Sequence, residues 1–253
     1  MASFQELNRI WSTDLAKVFL SGDIGVASYQ LVQVSKYFGI IHLLVLSGTQ
    51  VGFFAAVSRA FWAPILRKIF RIDELYQRIF LGFFLVFWVR SFDFPPPLTR
   101  ALFFELANLY SKNIRLSFLA PRIFLIHALL FPNHLATQGF YLSWSSFLLV
   151  ASLRMQEMNR IKSTVVATIF CTLLFKFSAH SPWPGLSQWA GIIVANLTLG
   201  LVADRLWFPV LAGFHFFSFM GGIFGIVSEP QRKEIGIELM SSLIGPFLLP
   251  LMP

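Results

Sequence analysis

From Tyr37 to Ser58 the chain reads YFGIIHLLVLSGTQVGFFAAVS, without a single Asp, Glu, Lys or Arg. A helix that crosses a bilayer needs about 20 mostly apolar residues, so this stretch predicts a membrane-spanning helix. The composition agrees, since 56% of the 253 residues are hydrophobic and only 13% are charged. Soluble domains usually carry about 25% charged residues. We therefore expect a polytopic membrane protein and not a soluble globular enzyme.

Further apolar stretches follow along the chain. They predict an all-α transmembrane helix bundle of about seven to nine segments, drawn from Tyr37–Ser58, Ile79–Pro97, Leu98–Tyr110, Ile123–Phe131, Leu135–Leu153, Ser163–Phe175, Phe177–Ala203, Leu206–Ser228 and Leu239–Pro253. The two short segments in the middle, within Leu98–Phe131, are typical of broken or re-entrant helices. Pro95-Pro96-Pro97 should end the segment before them, because prolines cannot continue a helix.

The basic residues predict the orientation of this bundle. Lys and Arg total 20 against 12 Asp and Glu, a net charge of +8. Most of them cluster in connections that nine crossings would place on one side, around Arg59–Arg78, Lys112–Arg122, Arg154–Lys162 and Asp204–Arg205. By the positive-inside rule that side is the cytoplasm. Topology then explains most of the charge without a nucleic-acid partner. The same orientation places residues 1–36 outside the cytoplasm.

Residues 1–36 form a distinct N-terminal segment ahead of the transmembrane domain, residues 37–253. Apolar residues recur there at helical spacing, from Phe4 to Phe19, with polar residues between them. This pattern predicts an amphipathic helix on a membrane surface. A short helix that packs on the bundle is the alternative. The segment lacks the basic start and apolar core of a cleavable signal peptide.

Polar residues inside apolar stretches are candidate sites, because ionisable groups at membrane depth are costly. In the first span these are His42 and Gln50, beside a G-x-x-x-G pair, Gly48 and Gly52, that permits close helix approach or self-association. The alternative is a helix-packing patch whose histidine bonds a neighbour.

Two arginines in the middle of the chain are further candidates. Arg90 is three residues from Asp93, and Arg100 is five from Glu105, so each could be neutralised by its acid. The functional alternative is that Arg90 or Arg100 faces a polar pathway, where a guanidinium would bind phosphate through two hydrogen bonds.

Motifs of enzymes and metal sites are missing. The histidines at 42, 127, 134, 180 and 215 form no H-x-H or H-E-x-x-H pattern, and Pro132 separates His127 from His134. No Walker loop, nucleophile elbow or dinucleotide fingerprint occurs. With a single cysteine, the chain has no disulfide within it and no cysteine-cluster zinc site. We predict no enzymatic activity, no metal and no cofactor.

Several blocks together resemble the ComEC-type competence family. Ser21-Gly22-Asp23 and then His42-Leu43-Leu44-Val45-Leu46-Ser47-Gly48-Thr49-Gln50-Val51-Gly52 are similar to its G-D and H-L-L-A-I-S-G-L-H-V-G motifs. Pro97-Leu98-Thr99-Arg100-Ala101, Gly139-Phe140-Tyr141-Leu142-Ser143-Trp144 and Ala195-Asn196-Leu197 resemble later blocks in the same order. The resemblance spans roughly residues 17 to 227.

The resemblance implies a multi-pass protein of the bacterial inner membrane that passes single-stranded DNA into the cytoplasm during natural transformation. The candidate pathway or motif residues that it implies on this chain are Asp23, His42, Ser47, Gly48, Gln50, Gly52, Arg100 and Asn196. Arg90 is added because its guanidinium could bind phosphate. The implied partners are membrane lipids, single-stranded DNA and separate nuclease, DNA-binding or ATPase subunits.

Two departures leave other functions open. Gln50 stands where the family motif has a second histidine, and no stretch here is expected to house the family's soluble binding region or nuclease domain. One alternative is a diverged transporter of a small or anionic substrate, which broken helices near Pro95–Pro97 would also suit. The other is a non-transporting structural membrane protein.

Overall fold

The computed structural model describes residues 12–18, 29, 32–33, 48–110, 116–155, 159–179, 189, 192–194, 197–198, 202, 205–206, 208–225 and 228–248. These residues are almost entirely helical and contain no strand, which confirms the all-α prediction for them. The helices are α1 (Gly48–Lys68), α2 (Glu74–Arg90), α3 (Pro96–Tyr110), α4 (Leu116–Leu130), α5 (Gln138–Met155), α6 (Arg160–Ala179), α7 (Phe208–Ile223) and α8 (Glu229–Leu248). A short 3-10 turn, Pro132–Ala136, joins α4 to α5.

None of the helices in these ranges combines the length and the apolar character that a membrane crossing requires. The two central segments, α3 and α4, have 15 residues each. The number of crossings and the orientation of the bundle therefore stay predictions.

The first apolar stretch does not end where the sequence suggested. The helix α1 continues past Ser58 to Lys68. Arg59, Arg67 and Lys68 therefore lie on this helix, whereas the sequence predicts them in a connection. Arg59 is accommodated on the helix because its Nε donates to the Ala55 carbonyl one turn back, at 3.2 Å. The actual connection to α2 is short and lies between Lys68 and Glu74.

The chain breaks between α2 and α3 next to the three prolines, as predicted. Helix α2 ends at Arg90, and Asp93 and Phe94 adopt left-handed backbone conformations, with φ of 56° and 51°. Helix α3 then begins at Pro96. Prolines are tolerated there because the first amides of a helix have no acceptor within it.

The core of the bundle lies where α1, α2, α3 and α7 meet. Its centre is aromatic: Phe54 of α1 stacks on Trp88 of α2 with ring centroids 4.0 Å apart, and Phe216 of α7 packs against both Phe54 and Phe84. A second cluster, built around Ile123, Phe140 and Trp144, joins α3 to α4 and α5. Helix α3 belongs to both clusters and is therefore the common wall between them.

Part of the N-terminal segment is helical, at residues 12–18. Leu15, Ala16 and Val18 are buried there, together with Ser12 and Asp14. In this structure these five side chains are therefore covered by other residues of the protein.

Candidate functional site

The glycine pair of α1 lies against α3 of the same chain. A Cβ placed on Gly48 would come within 3.0 Å of the Ala101 Cβ and 3.3 Å of Arg100 Nη2, while one on Gly52 would meet Glu105 Oε1 at 3.8 Å. The close helix approach that we predicted from G-x-x-x-G therefore occurs, and its partner is the helix that carries Arg100. A larger residue than glycine at position 48 would separate the two helices.

Arg100 is held between α1, α3 and α5. Its Nη1 donates to the Ser143 carbonyl at 2.7 Å, and its guanidinium carbon lies 4.7 Å from the centre of the Phe147 ring. We call this arrangement of Gly48, Arg100, Ser143 and Phe147 the Arg100 seat. It brings together three sequence blocks that are far apart in the chain: the glycine motif, the Pro-Leu-Thr-Arg-Ala motif and the Gly-Phe-Tyr-Leu-Ser-Trp motif.

The guanidinium of Arg100 has unused hydrogen-bonding capacity. Its Nε is buried and has no partner among the described residues, and the same is true of Ser143 Oγ beside it. Of the ion pairs in the described part of the chain, none involves Arg100. Because unpaired buried donors are costly, the seat favours a group that accepts hydrogen bonds, and an oxyanion fits best.

Neither of the two possible acid–arginine pairs forms in the described residues. Glu105 lies 3.4 Å from Arg59 Nη2 of α1 and not against Arg100, because the side chain five residues on points to a different face of α3. Arg90 is exposed at the end of α2, and Asp93 lies beyond that end in a left-handed conformation. None of the ion pairs in the described ranges joins these two residues. Arg90 is not part of the Arg100 seat.

The other predicted site residues fall into two groups. Gln50 is 2% exposed and faces the interior of the bundle from the first turns of α1. Asp23, His42, Ser47 and Asn196 lie outside the described residues, so their roles stay predictions.

A hydrogen-bonded pair of histidines next to the seat was missed by the sequence reasoning. His127 Nε2 and His134 Nδ1 are 2.9 Å apart, and the Trp144 indole N–H donates to His127 Nδ1 at 3.3 Å. Pro132 does not keep these histidines apart. It starts the 3-10 turn that reverses the chain and returns His134 to α4. The only local sequence signal of this pair is that the two histidines are seven residues apart with a proline between them.

His134 adds no positive charge beside Arg100 at neutral pH. Partial burial lowers the pKa of His134 from its ordinary value of 6.5, so it is neutral at pH 7. Nowhere in the described ranges do three or more His, Cys, Asp or Glu residues come together as metal ligands would. The chemistry available at the seat is the binding of an anion by one guanidinium with an aromatic ring behind it.

Comparison with known proteins gives one match. The family model described as "Competence protein" matches residues 19–225, which is most of the chain. No curated protein and no solved structure matches. The matched range contains all the blocks that meet at the Arg100 seat.

Proposed function

Because this chain belongs to the ComEC-type competence protein family, we propose that it is a channel component that passes single-stranded DNA across the bacterial inner membrane during natural transformation. Proteins of this family are generally associated with that membrane. In our proposal residues 37–253 cross the membrane several times, residues 1–36 lie outside the cytoplasm, and the chain has no catalytic activity of its own.

The observation that carries the proposal is the Arg100 seat. A guanidinium that has one carbonyl partner, a buried unpaired Nε and no acid partner among the described residues retains donors for a phosphate oxygen. Arginine suits this task because its planar fork matches the oxygens of a phosphate. The Phe147 ring beside it adds an aromatic face, and channels for single strands combine such faces with positive charge.

The proposal is tested first by deleting the gene in its own host. We expect transformation frequency to collapse while DNA still binds at the cell surface, because the block would lie at the inner membrane. A deletion strain that transforms normally would contradict the proposed function.

The role of Arg100 is tested by Arg100→Gln and Arg100→Lys, each at matched membrane level. Arg100→Gln should lower the transformation frequency at least roughly tenfold, since a lost charge-assisted hydrogen bond contributes about 1.5–3 kcal/mol. Arg100→Lys should fall between wild type and Arg100→Gln, because it keeps the charge without the fork.

The matched control is Arg59→Gln, which also removes a guanidinium from the contact between α1 and α3. Arg59 already has an acid partner in Glu105, so its loss should leave transformation near the wild-type level. Equal defects for Arg59→Gln and Arg100→Gln would indicate that both residues only hold the helices together, as in a structural protein.

A second candidate, a transporter of small anions, is favoured by the same unpaired donors, which would accept a single phosphate or carboxylate as well. Uptake into vesicles that contain the purified protein separates the two functions. A labelled single-stranded oligonucleotide should enter, and inorganic phosphate should not. The reverse result would assign the small-anion function.

The proposed partners follow from the same function. They are membrane lipids, single-stranded DNA and separate nuclease, DNA-binding or ATPase subunits. Self-association through Gly48 and Gly52 would have to displace α3 from the glycine face. Co-purification of two differently tagged copies tests for self-association, and a Gly52→Leu variant tests whether the glycine face mediates it.

A further inference from the structure

Three aromatic side chains form a directed hydrogen-bond chain from α5 through α4 to the 3-10 turn. Trp144 Nε1 donates to His127 Nδ1 at 3.3 Å, and His127 Nε2 lies 2.9 Å from His134 Nδ1. His127 is fully buried, and Trp144 nearly so. This chain therefore connects three elements through the buried side chain of His127.

The donors and acceptors in this chain have a single consistent assignment. The indole N–H of Trp144 can only donate, so His127 Nδ1 must accept and its proton must sit on Nε2. His127 Nε2 then donates, so His134 Nδ1 must accept in turn. Both imidazoles are neutral in this arrangement, and each carries its proton on Nε2.

An added proton on His134 cannot fit this arrangement. A cationic His134 carries hydrogen on Nδ1, which would face the hydrogen on His127 Nε2 across 2.9 Å. If His127 moved its own proton to Nδ1 to accept the new bond, that hydrogen would face the Trp144 N–H instead. Either the link to the turn or the link to α5 is lost.

This chain is tied to the Arg100 seat at both ends. Ser143, whose carbonyl accepts from Arg100, is the residue before Trp144 on α5. At the other end His134 stacks on Phe131, and Phe131 contacts Phe94 in the left-handed turn before α3. The Phe94 carbonyl accepts from Thr99, the residue before Arg100.

The charged groups near the pair do not favour a cation there. Arg100 of α3 acts electrostatically on His127, and Asp93, beside Phe94 in the turn, forms no ion pair with either ring. None of the ion pairs in the described ranges includes a histidine. Partial burial lowers the pKa of His134 below its ordinary value.

We propose that His127 and His134 form a proton-sensitive latch that holds α5 against Arg100, so that acid on the side of the 3-10 turn loosens the Arg100 seat. The latch responds to the binding of a proton but does not conduct protons, because the hydrogen-bond chain ends at an indole N–H that does not release its proton. It is independent of what the seat binds, and it goes beyond the proposed function.

The sign of the pH effect follows from linkage. The folded state binds a proton at His134 less tightly than the unfolded chain does, since its pKa is lowered from 6.5. The stability from the neutral pair is therefore complete above pH 6.5 and is lost as pH falls from there through the folded-state pKa.

The test is hydrogen exchange of the purified 253-residue protein in detergent, followed by mass spectrometry at about pH 7.5 and about pH 5.5, on either side of the ordinary histidine pKa. After correction for intrinsic rates, we expect amides from His134 to Phe147 to exchange roughly tenfold faster at the lower pH, the effect of one lost buried hydrogen bond. Amides of α2 should not change and serve as the internal control.

Two variants decide whether the histidines cause the change. His134→Asn keeps an acceptor near the position of Nδ1 but cannot be protonated, so its exchange should be slow at both pH values. Trp144→Phe frees His127 Nδ1, which lets the pair share an added proton, so the pH difference should shrink. A wild-type protein without a pH difference, or a difference that persists in both variants, would overturn the latch. No DNA is present, so this result stands apart from the test of transport.

Discussion

The substitution Gly48→Ala tests the contact on which the Arg100 seat depends. The new Cβ would lie 3.0 Å from the Ala101 Cβ and 3.3 Å from Arg100 Nη2. Both Cβ atoms are attached directly to helix backbones, so neither can rotate away. The helices α1 and α3 would have to move apart, and Arg100 would have to shift.

The size of the effect follows from the distances. Carbon atoms in good contact are about 3.5–4.0 Å apart, so the helices must separate by about 0.5–1 Å. Overpacking of this kind costs about 1–3 kcal/mol. For a chain of this size, each kcal/mol lowers the melting temperature by about 2–4 °C. We expect Gly48→Ala to lower it by about 2–12 °C.

The assay is thermal unfolding of the purified protein in detergent, with Gly52→Ala as the matched control. The nearest atom to a Cβ at Gly52 is Glu105 Oε1 at 3.8 Å, an ordinary contact. Gly52→Ala should therefore be neutral or stabilising, by up to about 1 kcal/mol of helix propensity.

A double mutant shows whether the clash is the cause. Ala101→Gly removes the opposing Cβ, so it should restore part of the stability lost in Gly48→Ala although it is destabilising alone. We expect a coupling energy of about 1–2 kcal/mol between the two positions. Additive effects of Gly48→Ala and Ala101→Gly, or equal melting temperatures for Gly48→Ala and Gly52→Ala, would refute the close approach of α1 and α3.

Two smaller predictions concern the surroundings of the seat. Thr99 is fully buried and its hydroxyl donates to the Phe94 and Pro95 carbonyls at 2.9 and 3.0 Å. Thr99→Val keeps the shape and loses these bonds, so we expect a loss of about 1–2 kcal/mol in chemical denaturation, and an unchanged midpoint would argue against this role. Glu105→Gln removes the acid partner of Arg59, whose side chain is 45% exposed. Since such pairs contribute about 0–1 kcal/mol, its melting temperature should stay within a few degrees of wild type, and a large drop would show that the pair matters more than its exposure suggests.

The helical class and the break at the prolines could be predicted because both are local properties. Prolines are excluded from a helix interior but are tolerated in its first turn, so the break falls between the end of α2 at Arg90 and the start of α3 at Pro96. The end of α1 was less predictable. Arg59 looked like the start of a connection, but a carbonyl of its own helix and Glu105 of α3 accommodate its charge.

The candidate site was predicted in part. Gly48, Gly52 and Arg100 were identified from their types and from the family resemblance, and the structure places Arg100 and Gly48 side by side. Arg90 was chosen by the same chemical argument, yet it lies exposed at the end of a helix. Residue type alone could not distinguish the two arginines, because the difference lies in what surrounds them.

The amino-acid sequence by itself determined the helical class, the break before α3 and the capacity of α1 for a close helix contact, since these depend on neighbouring residues and on the absence of side chains. Only the tertiary structure decided that the contact is with α3, that Ser143 and Phe147 enclose Arg100, and that His134 returns to His127 across Pro132. Periodicity tells which side of a helix is apolar or small. Which other helix covers that side depends on packing between segments distant in the chain.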